Sequence, residues 1–382
     1  MKRTLFDPEH EAFRETVRAF VAGEVAPGNE QWTEAGIVPR ELFKRAGAAG
    51  LFATALPGRH GGRGLRDFRF NQVLGEELAA GGFAAVGLGL TLHTDICTPY
   101  LLDLATEEQK DRWLPGVGSG DLITAIGMTE PALGSDLASM TTSAIRDGDV
   151  YVVNGTKTLI SNGINGDLLI TAVKTDPSQR HKGISLLVLE RGMEGLAYGR
   201  NLKKIGLNAQ DTAEWHFHDV RVPAANLLGE EGQGFLHLMQ NLPAERLSMA
   251  SYGVAAARAA LGWALAWVKD RTAFGQPVGS FQNTKFRLAE LATEVDLAQE
   301  FVDACVTAFS AGELGGADAA KAKWWCTELQ GRAVDLALQL HGGWGYLAEQ
   351  PISRAWADAR ISRIYGGTTE IMKEVIGRDL GL

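Results

Sequence analysis

The stretch DVYVVNGTKTLISNG, residues 149–163, decides how the chain divides. Tyr151, Val152 and Val153 stand against Thr156 to Ile160 across Asn154-Gly155. Asn-Gly between β-formers is the strongest short hairpin signal, because both turn residues take positive φ. A β segment is therefore expected here, and DLLITAVKT (167–175), GISLLVLE (183–190) and AEWHFHDVRV (213–222) extend it as further strands. Upstream, from residue 4 to about 120, the texture is helical. Asp7 is placed to cap a helix with Pro8 at its first position, and Phe13, Val17, Phe20 and Val21 recur at helical spacing. Downstream of about residue 234 the chain is helical again and carries seams. Leu247, Val254, Leu261 and Val268 form one, Leu291, Val295, Ala298, Val302, Cys305 and Phe309 a second, and Trp325, Leu329, Ala333, Leu336 and Leu340 a third. Several long helices with such seams and short connections predict antiparallel bundle packing. The expected fold is α+β and multidomain: an N-terminal helical domain (1–121), a middle β-barrel or sandwich domain (122–234) and a C-terminal antiparallel four-helix bundle (235–382).

Composition narrows the function. The chain has 382 residues, 45% hydrophobic and 22% charged, as in an ordinary globular protein. A net charge of −9 with no polybasic block argues against nucleic acid or an anionic membrane as the main partner. Cys97, Cys305 and Cys326 are scattered and odd in number, which reads as buried reduced thiols. The N-terminus turns acidic and amphipathic without a signal-peptide core, and no apolar run reaches spanning length. A cytoplasmic protein is expected.

Individual motifs are modest when taken alone. GWGYLA (343–348) fits a loose dinucleotide pattern but follows a helical run, whereas a Rossmann turn must follow a strand. His216 and His218 are the only closely spaced histidines, at i, i+2 on a strand, and no metal site is expected from them. MTEPALGSD (128–136) offers Thr129, Ser135 and a glycine-bracketed backbone that can cap an anionic or heteroaromatic ligand, or simply form a turn. Ser161 adds a hydroxyl just after the expected hairpin, and Arg271 ends a helix, where a cation suits the dipole. In NLPAERLSMA (241–250), Glu245 is either a surface acid or the group that does chemistry.

Taken together, TEPxxGSD, NGTKxxIS, RxxFGxPxxxFQ, QLHGGWGY and IYGGTxEI, in this order between about residues 5 and 380, resemble the acyl-CoA dehydrogenase family of flavoproteins. The wording of the last two is most similar to the long-chain branch. The resemblance implies FAD as cofactor and an acyl-CoA as substrate. It implies an electron-transfer flavoprotein as acceptor and a homo-oligomer, tetramer or dimer. It places Ile126, Met128 and Thr129 against the isoalloxazine, Ser161 near N5 and Leu159 on the ring's other side. Gly134 and Ser135 fall at the pyrophosphate, with Ser135 also touching the thioester chain. Arg271, Phe274, Gln282, Gln339, Gly342 and Gly343 are similar to residues that reach a neighbouring subunit's FAD, and Thr368 and Glu370 to positions near the adenosine. Two positions depart from many relatives: Leu159, where an aromatic ring is common, and Trp344, where asparagine is.

Most of the family reads IYEGT, and that glutamate removes the α-proton. Here the position is Gly366, which has no side chain to accept one. The long-chain and isovaleryl branches instead place the glutamate in the bundle, before an arginine, and PAERL matches that pattern at Glu245 and Arg246. A helix starting at Pro243 would hold Glu245 in its first turn, where N–H dipoles keep a carboxylate ionised. The implied reaction is α,β-dehydrogenation to a trans-2-enoyl thioester. Glu245 takes the α-proton, flavin N5 takes the β-hydride, and the Gly366 N–H with an FAD ribityl hydroxyl polarises the thioester carbonyl. Arg246 lies near the substrate or forms a salt bridge in the bundle. Two alternatives stand beside this reading: a flavin oxidase or monooxygenase on the same fold, and a non-enzymatic DNA-binding member.

Overall fold

The computed structural model describes residues 3–382. Seven helices come first: α1 (Pro8–Phe20), α2 (Asn29–Ala35), α3 (Arg40–Ala48), α4 (Phe68–Ala80), α5 (Ala84–Thr91), α6 (Thr98–Leu104) and α7 (Glu107–Ser119). Asp7 is the N-cap of α1 and Pro8 its first residue, and Phe13, Val17 and Phe20 turn inward, as the spacing predicts. Between α5 and α6 the segment Leu92–Cys97 winds as π-helix.

The β segment follows as β1 (Thr124–Gly127), β2 (Ser143–Asp147), β3 (Val150–Ser161), β4 (Leu168–Lys174), β5 (Ile184–Glu190), β6 (Leu196–Tyr198), β7 (Thr212–Pro223) and β8 (Leu227–Leu228). They form one mixed sheet in the order β6-β7-β3-β2-β4-β5-β8, with β1 parallel to β4. The existence of the β segment was legible, but its expected hairpin is misplaced. Asn154-Gly155 does not turn the chain; β3 runs through it as one strand of 12 residues. The turn lies earlier, at Gly148-Asp149, so that Asp147 pairs with Val150 and Ser143 with Asn154. Asn-Gly instead makes a bulge against β7, where the register slips between Val153 and Gly155. Gly155 has φ +140° and a Cβ there would meet Thr142 Oγ1 at 2.7 Å. The Asn154 amide bridges to Asp219 across the bulge, by two bonds of 2.9 Å. The same positive-φ chemistry serves a turn or a bulge, and the competing Gly148-Asp149 signal nearby won the turn.

The chain then builds three long helices: α8 (Gly234–Asp270), α9 (Gln282–Ser310) and α10 (Gly316–His341). The small hairpin β9 (Thr272–Ala273) and β10 (Gln276–Pro277) joins the first two. Two short helices, α11 (Pro351–Ala359) and α12 (Thr369–Asp379), end the chain. The expected seams of α8 and α9 are its core: Leu247, Val254, Leu261, Val268, Leu291, Val295, Ala298 and Val302 are all buried together. On α10 the inward face is shifted to Ala322, Cys326, Leu329, Ala333 and Ala337, leaving Trp325 and Leu336 at its edge. Alanines on that face let α8 and α10 approach closely, and a Cβ at Gly253 would already lie 3.1 Å from the Cys326 carbonyl.

Candidate active site

Glu245 is not at a helix start. α8 begins at Gly234 and runs through Pro243, so Glu245 lies about three turns in. Proline forgoes one backbone bond without ending this helix, because the tightly packed bundle holds it. The dipole expected to keep the carboxylate ionised is therefore too far away. Burial governs instead: Glu245 is only 3% exposed. Burial pushes its carboxyl up to about 7, against a hydrogen bond from Tyr100 and the charge of Arg246. The Tyr100 hydroxyl donates to Glu245 Oε1 at 2.8 Å. A carboxylate titrating near 7 is matched to proton abstraction at neutral pH.

Met249 follows Glu245 by four residues, so the two share one face of α8. The Gly366 turn packs on that face. With φ +63°, Gly366 would place a Cβ 2.3 Å from Met249 Sδ and 2.4 Å from its Cε. A side chain at 366 and Met249 thus compete for the same space, and here Met249 holds it. Among the described residues no acceptor takes the Gly366 N–H. The next carbonyl, Gly367, is gripped by buried Lys323 Nζ at 2.7 Å. Burial, and then the nearby Arg246 charge, lower Lys323 to about 8. Arg246 is buried and its Nε has no acceptor, which weighs against a salt bridge; burial lowers its pKa, with Glu245 as the carboxylate that faces it.

The end of β1 reaches the same apolar cluster as Met249, and the end of β3 lies beside it. Ile126, Met128, Met249 and Tyr100 belong to one apolar cluster with Leu92 and Ile96. The Thr158 N–H donates to the Thr129 carbonyl at 2.9 Å, so the Met128–Thr129 and Leu159–Ser161 segments sit side by side. Leu159 has φ +58° and is 63% exposed, which turns its side chain outward. Thr129 and Ser161 are half-buried. Gly134 and Ser135 lie on the exposed loop beyond. A buried ion pair anchors this edge. Lys157 Nζ donates to Glu130 Oε1 at 2.8 Å and to the Met128 carbonyl at 3.2 Å. Glu130 also accepts from Thr141 N, Thr141 Oγ1 and Thr142 N. Burial alone would raise Glu130; Lys157 and these donors pull it down to about 2. Half-buried hydroxyls beside an apolar wall, on a rigidly anchored edge, fit a planar heteroaromatic ring such as a flavin.

The remaining expected contacts gather elsewhere. Arg271, Phe274, Gln282, Gln339, Gly342 and Gly343 are exposed, and Phe274 is 96% so. They lie at the far end of the bundle, where Trp267 of α8 stacks on His341 of α10 at 4.7 Å. Along α8 that end is about 39 Å from Glu245, at 1.5 Å per residue. Thr368 caps α12 through the Ile371 N–H, and Glu370 is exposed in its first turn. Tyr100, Met249, Lys323 and the Glu130–Lys157 pair were not singled out from sequence. Glu130, Lys157 and Met249 lie inside TEPxxGSD, NGTKxxIS and NLPAERLSMA, Tyr100 and Lys323 in none of the motifs, and a lysine in an otherwise alternating strand was the one available signal.

Comparison with known proteins agrees along the whole chain. Models of the acyl-CoA dehydrogenase N-terminal, middle and C-terminal domains match residues 7–121, 125–220 and 232–381. The long-chain specific acyl-CoA dehydrogenase of Sus scrofa is 45% identical over 380 residues, covering 99% of this chain and 88% of that protein. A crystal structure of an acyl-CoA dehydrogenase from Geobacillus kaustophilus superposes with a TM-score of 0.97 at 46% identity, all of both chains being covered. A glutaryl-CoA dehydrogenase from Mycobacterium smegmatis, solved in complex with FADH2, is 27% identical with a TM-score of 0.91, covering 98% and 95% of the two chains. The chain belongs to the acyl-CoA dehydrogenase family; it is an oxidoreductase whose cofactor is FAD. No described helix is long and apolar enough to cross a membrane.

Proposed function

We propose that Glu245 is the base that removes the α-proton of an acyl-CoA thioester in an α,β-dehydrogenation giving the trans-2-enoyl-CoA. One observation carries this reading. The only carboxylate on the α8 face that meets the Gly366 turn is buried and titrates near 7, while Met249 fills the space a side chain at 366 would need. Glu245 holds its proton-accepting oxygens in a dry site, which suits general-base work. The unpaired Gly366 N–H is the donor that would polarise the thioester carbonyl, and Lys323 steadies the turn that carries it. FAD, when bound, supplies the two-electron acceptor for the β-hydride. Ile126, Met128, Thr129, Leu159 and Ser161 would hold its ring, Gly134 and Ser135 its pyrophosphate, and Ser135 with Arg246 the substrate.

The 39 Å between Glu245 and the Arg271 end bears on assembly. Arg271, Phe274, Gln282, Gln339, Gly342 and Gly343 would complete the flavin site of a second copy, so the working unit is a homo-oligomer. Sedimentation of the flavin-loaded protein as a monomer would remove this part. The same reading includes a cytoplasmic location and transfer of electrons to an electron-transfer flavoprotein. Rapid reoxidation by air would favour an oxidase instead.

The test is anaerobic titration of the flavin-loaded protein with acyl-CoAs of increasing length. Wild type bleaches the flavin with some member of the series. Glu245→Gln keeps its FAD but bleaches slower by on the order of 10³-fold. Equal rates would exclude Glu245 as the base.

A further inference from the structure

Glu245 receives one hydrogen bond from the chain, and it comes from the facing helical rod. That rod is α5, the π segment Leu92–Cys97 and α6. Two of its side chains reach α8: Asp95 accepts from Ser248 Oγ at 2.5 Å, and Tyr100 donates to Glu245. In an unbroken α-helix two residues spaced like Asp95 and Tyr100 would point about 140° apart. The wider π turn lets both face the same neighbour, a use of π segments common at functional sites. Asp95 also accepts from Asn71 and Thr94, each at 2.6 Å, so the first contact is a fixed anchor between rod and helix. The second contact falls on the reactive group itself.

We propose that Tyr100 is a positioning residue for the base, its hydroxyl holding the Glu245 carboxylate as the anion on the face of α8 that meets the Gly366 turn. This rests on Glu245 being the base. A phenolic O–H donates more strongly to a carboxylate than to a carboxylic acid, so it favours the charged form that burial opposes. The other groups facing Glu245 cannot replace it. Burial keeps the Cys97 thiol neutral. Arg246 acts through its charge, and Lys323 stands behind Arg246, bonded to Gly367. Without the hydroxyl, Glu245 would be left with burial pushing it up and Arg246 alone opposing.

The experiment compares the pH profile of kcat/KM for flavin reduction in wild type and Tyr100→Phe, with octanoyl- and palmitoyl-CoA as probes. The acid limb should move up by about one pH unit, the size of a hydrogen bond to a charged group. At a fixed pH below the limb the rate then falls about tenfold, while the plateau above it stays within a few-fold. Retained flavin absorbance reports that the variant folds. Ser248→Ala removes the neighbouring rod-to-helix contact without touching the carboxylate and should leave the limb in place. An unmoved limb in Tyr100→Phe, or an equal shift in Ser248→Ala, would overturn the proposal. Infrared titration of the substrate-free holoenzyme reads the contact separately, using the carboxyl band that Glu245→Gln deletes. If Glu245→Gln proves fully active, the base assignment fails alone; the infrared midpoint in Tyr100→Phe still decides whether the hydroxyl governs Glu245.

Discussion

Two buried glutamates, Glu130 at the edge of the sheet and Glu245 in the bundle, are each 3% exposed and are driven in opposite directions. Glu130 has a lysine in contact and three further donors on its two oxygens, and it is held down to about 2. Glu245 has a single tyrosine hydroxyl and an arginine that acts only at a distance, and it is pushed up to about 7. Low exposure is common to both, so exposure alone does not decide what a carboxylate does. The Lys157 charge in contact with Glu130, with the donors added to it, and the deeper burial of Glu245 decide. A saturated carboxylate is a tether whose lone pairs are spent; a nearly bare one keeps a pair for a proton.

The largest expected break in this contrast is chemical. Glu245→Gln should slow flavin reduction by acyl-CoA on the order of 10³-fold, about 4 kcal/mol of barrier. The matching change at Glu130 should leave the base chemistry in place and act on stability and flavin retention. Next in size is the tether. Lys157→Met leaves Glu130 buried without its partner and should cost about 3–5 kcal/mol in denaturant unfolding. The double variant Glu130→Gln/Lys157→Met should recover a large part of that. If Lys157→Met costs no more than the double variant, the pair is not the tether described.

Proton linkage sharpens the comparison because the two signs differ. Folded Glu130 has a lowered pKa, so its contribution is present above pH 4.5 and is lost as pH falls toward 2. Folded Glu245 keeps its proton to about pH 7, whereas the unfolded chain releases it near 4.5. Its contribution is present below 4.5 and is lost as pH rises through 7. Glu245→Gln should therefore gain stability relative to wild type between pH 5 and 8, on the order of 2–3 kcal/mol, read as a widening gap in unfolding free energy. A gap that narrows would reverse the assignment. The smallest effect is expected at the turn. Gly366→Ala forces an L-residue to φ +63° against Met249 and should cost about 1–2 kcal/mol. Met249→Ala in the same chain should relieve the contact and leave only the backbone strain.

The sequence by itself determined the helical, β, helical order, the core seams of α8 and α9 and the Asp7-Pro8 helix start. These are local matters. Side-chain periodicity and the φ demands of glycine, asparagine and proline act over a few residues, so they can be read along the chain. Local signals also set the limit of that reading. Asn154-Gly155 carried turn chemistry that the sheet used as a bulge, and Pro243 carried a helix start that bundle packing absorbed inside α8. What only the tertiary structure decided is which glutamate is bare and which is saturated. Tyr100 meets Glu245 across 145 positions of chain, and Lys157 meets Glu130 across 27. A carboxylate's proton affinity depends on the water removed and the donors brought by distant segments, and those arrive only when the chain has folded around it.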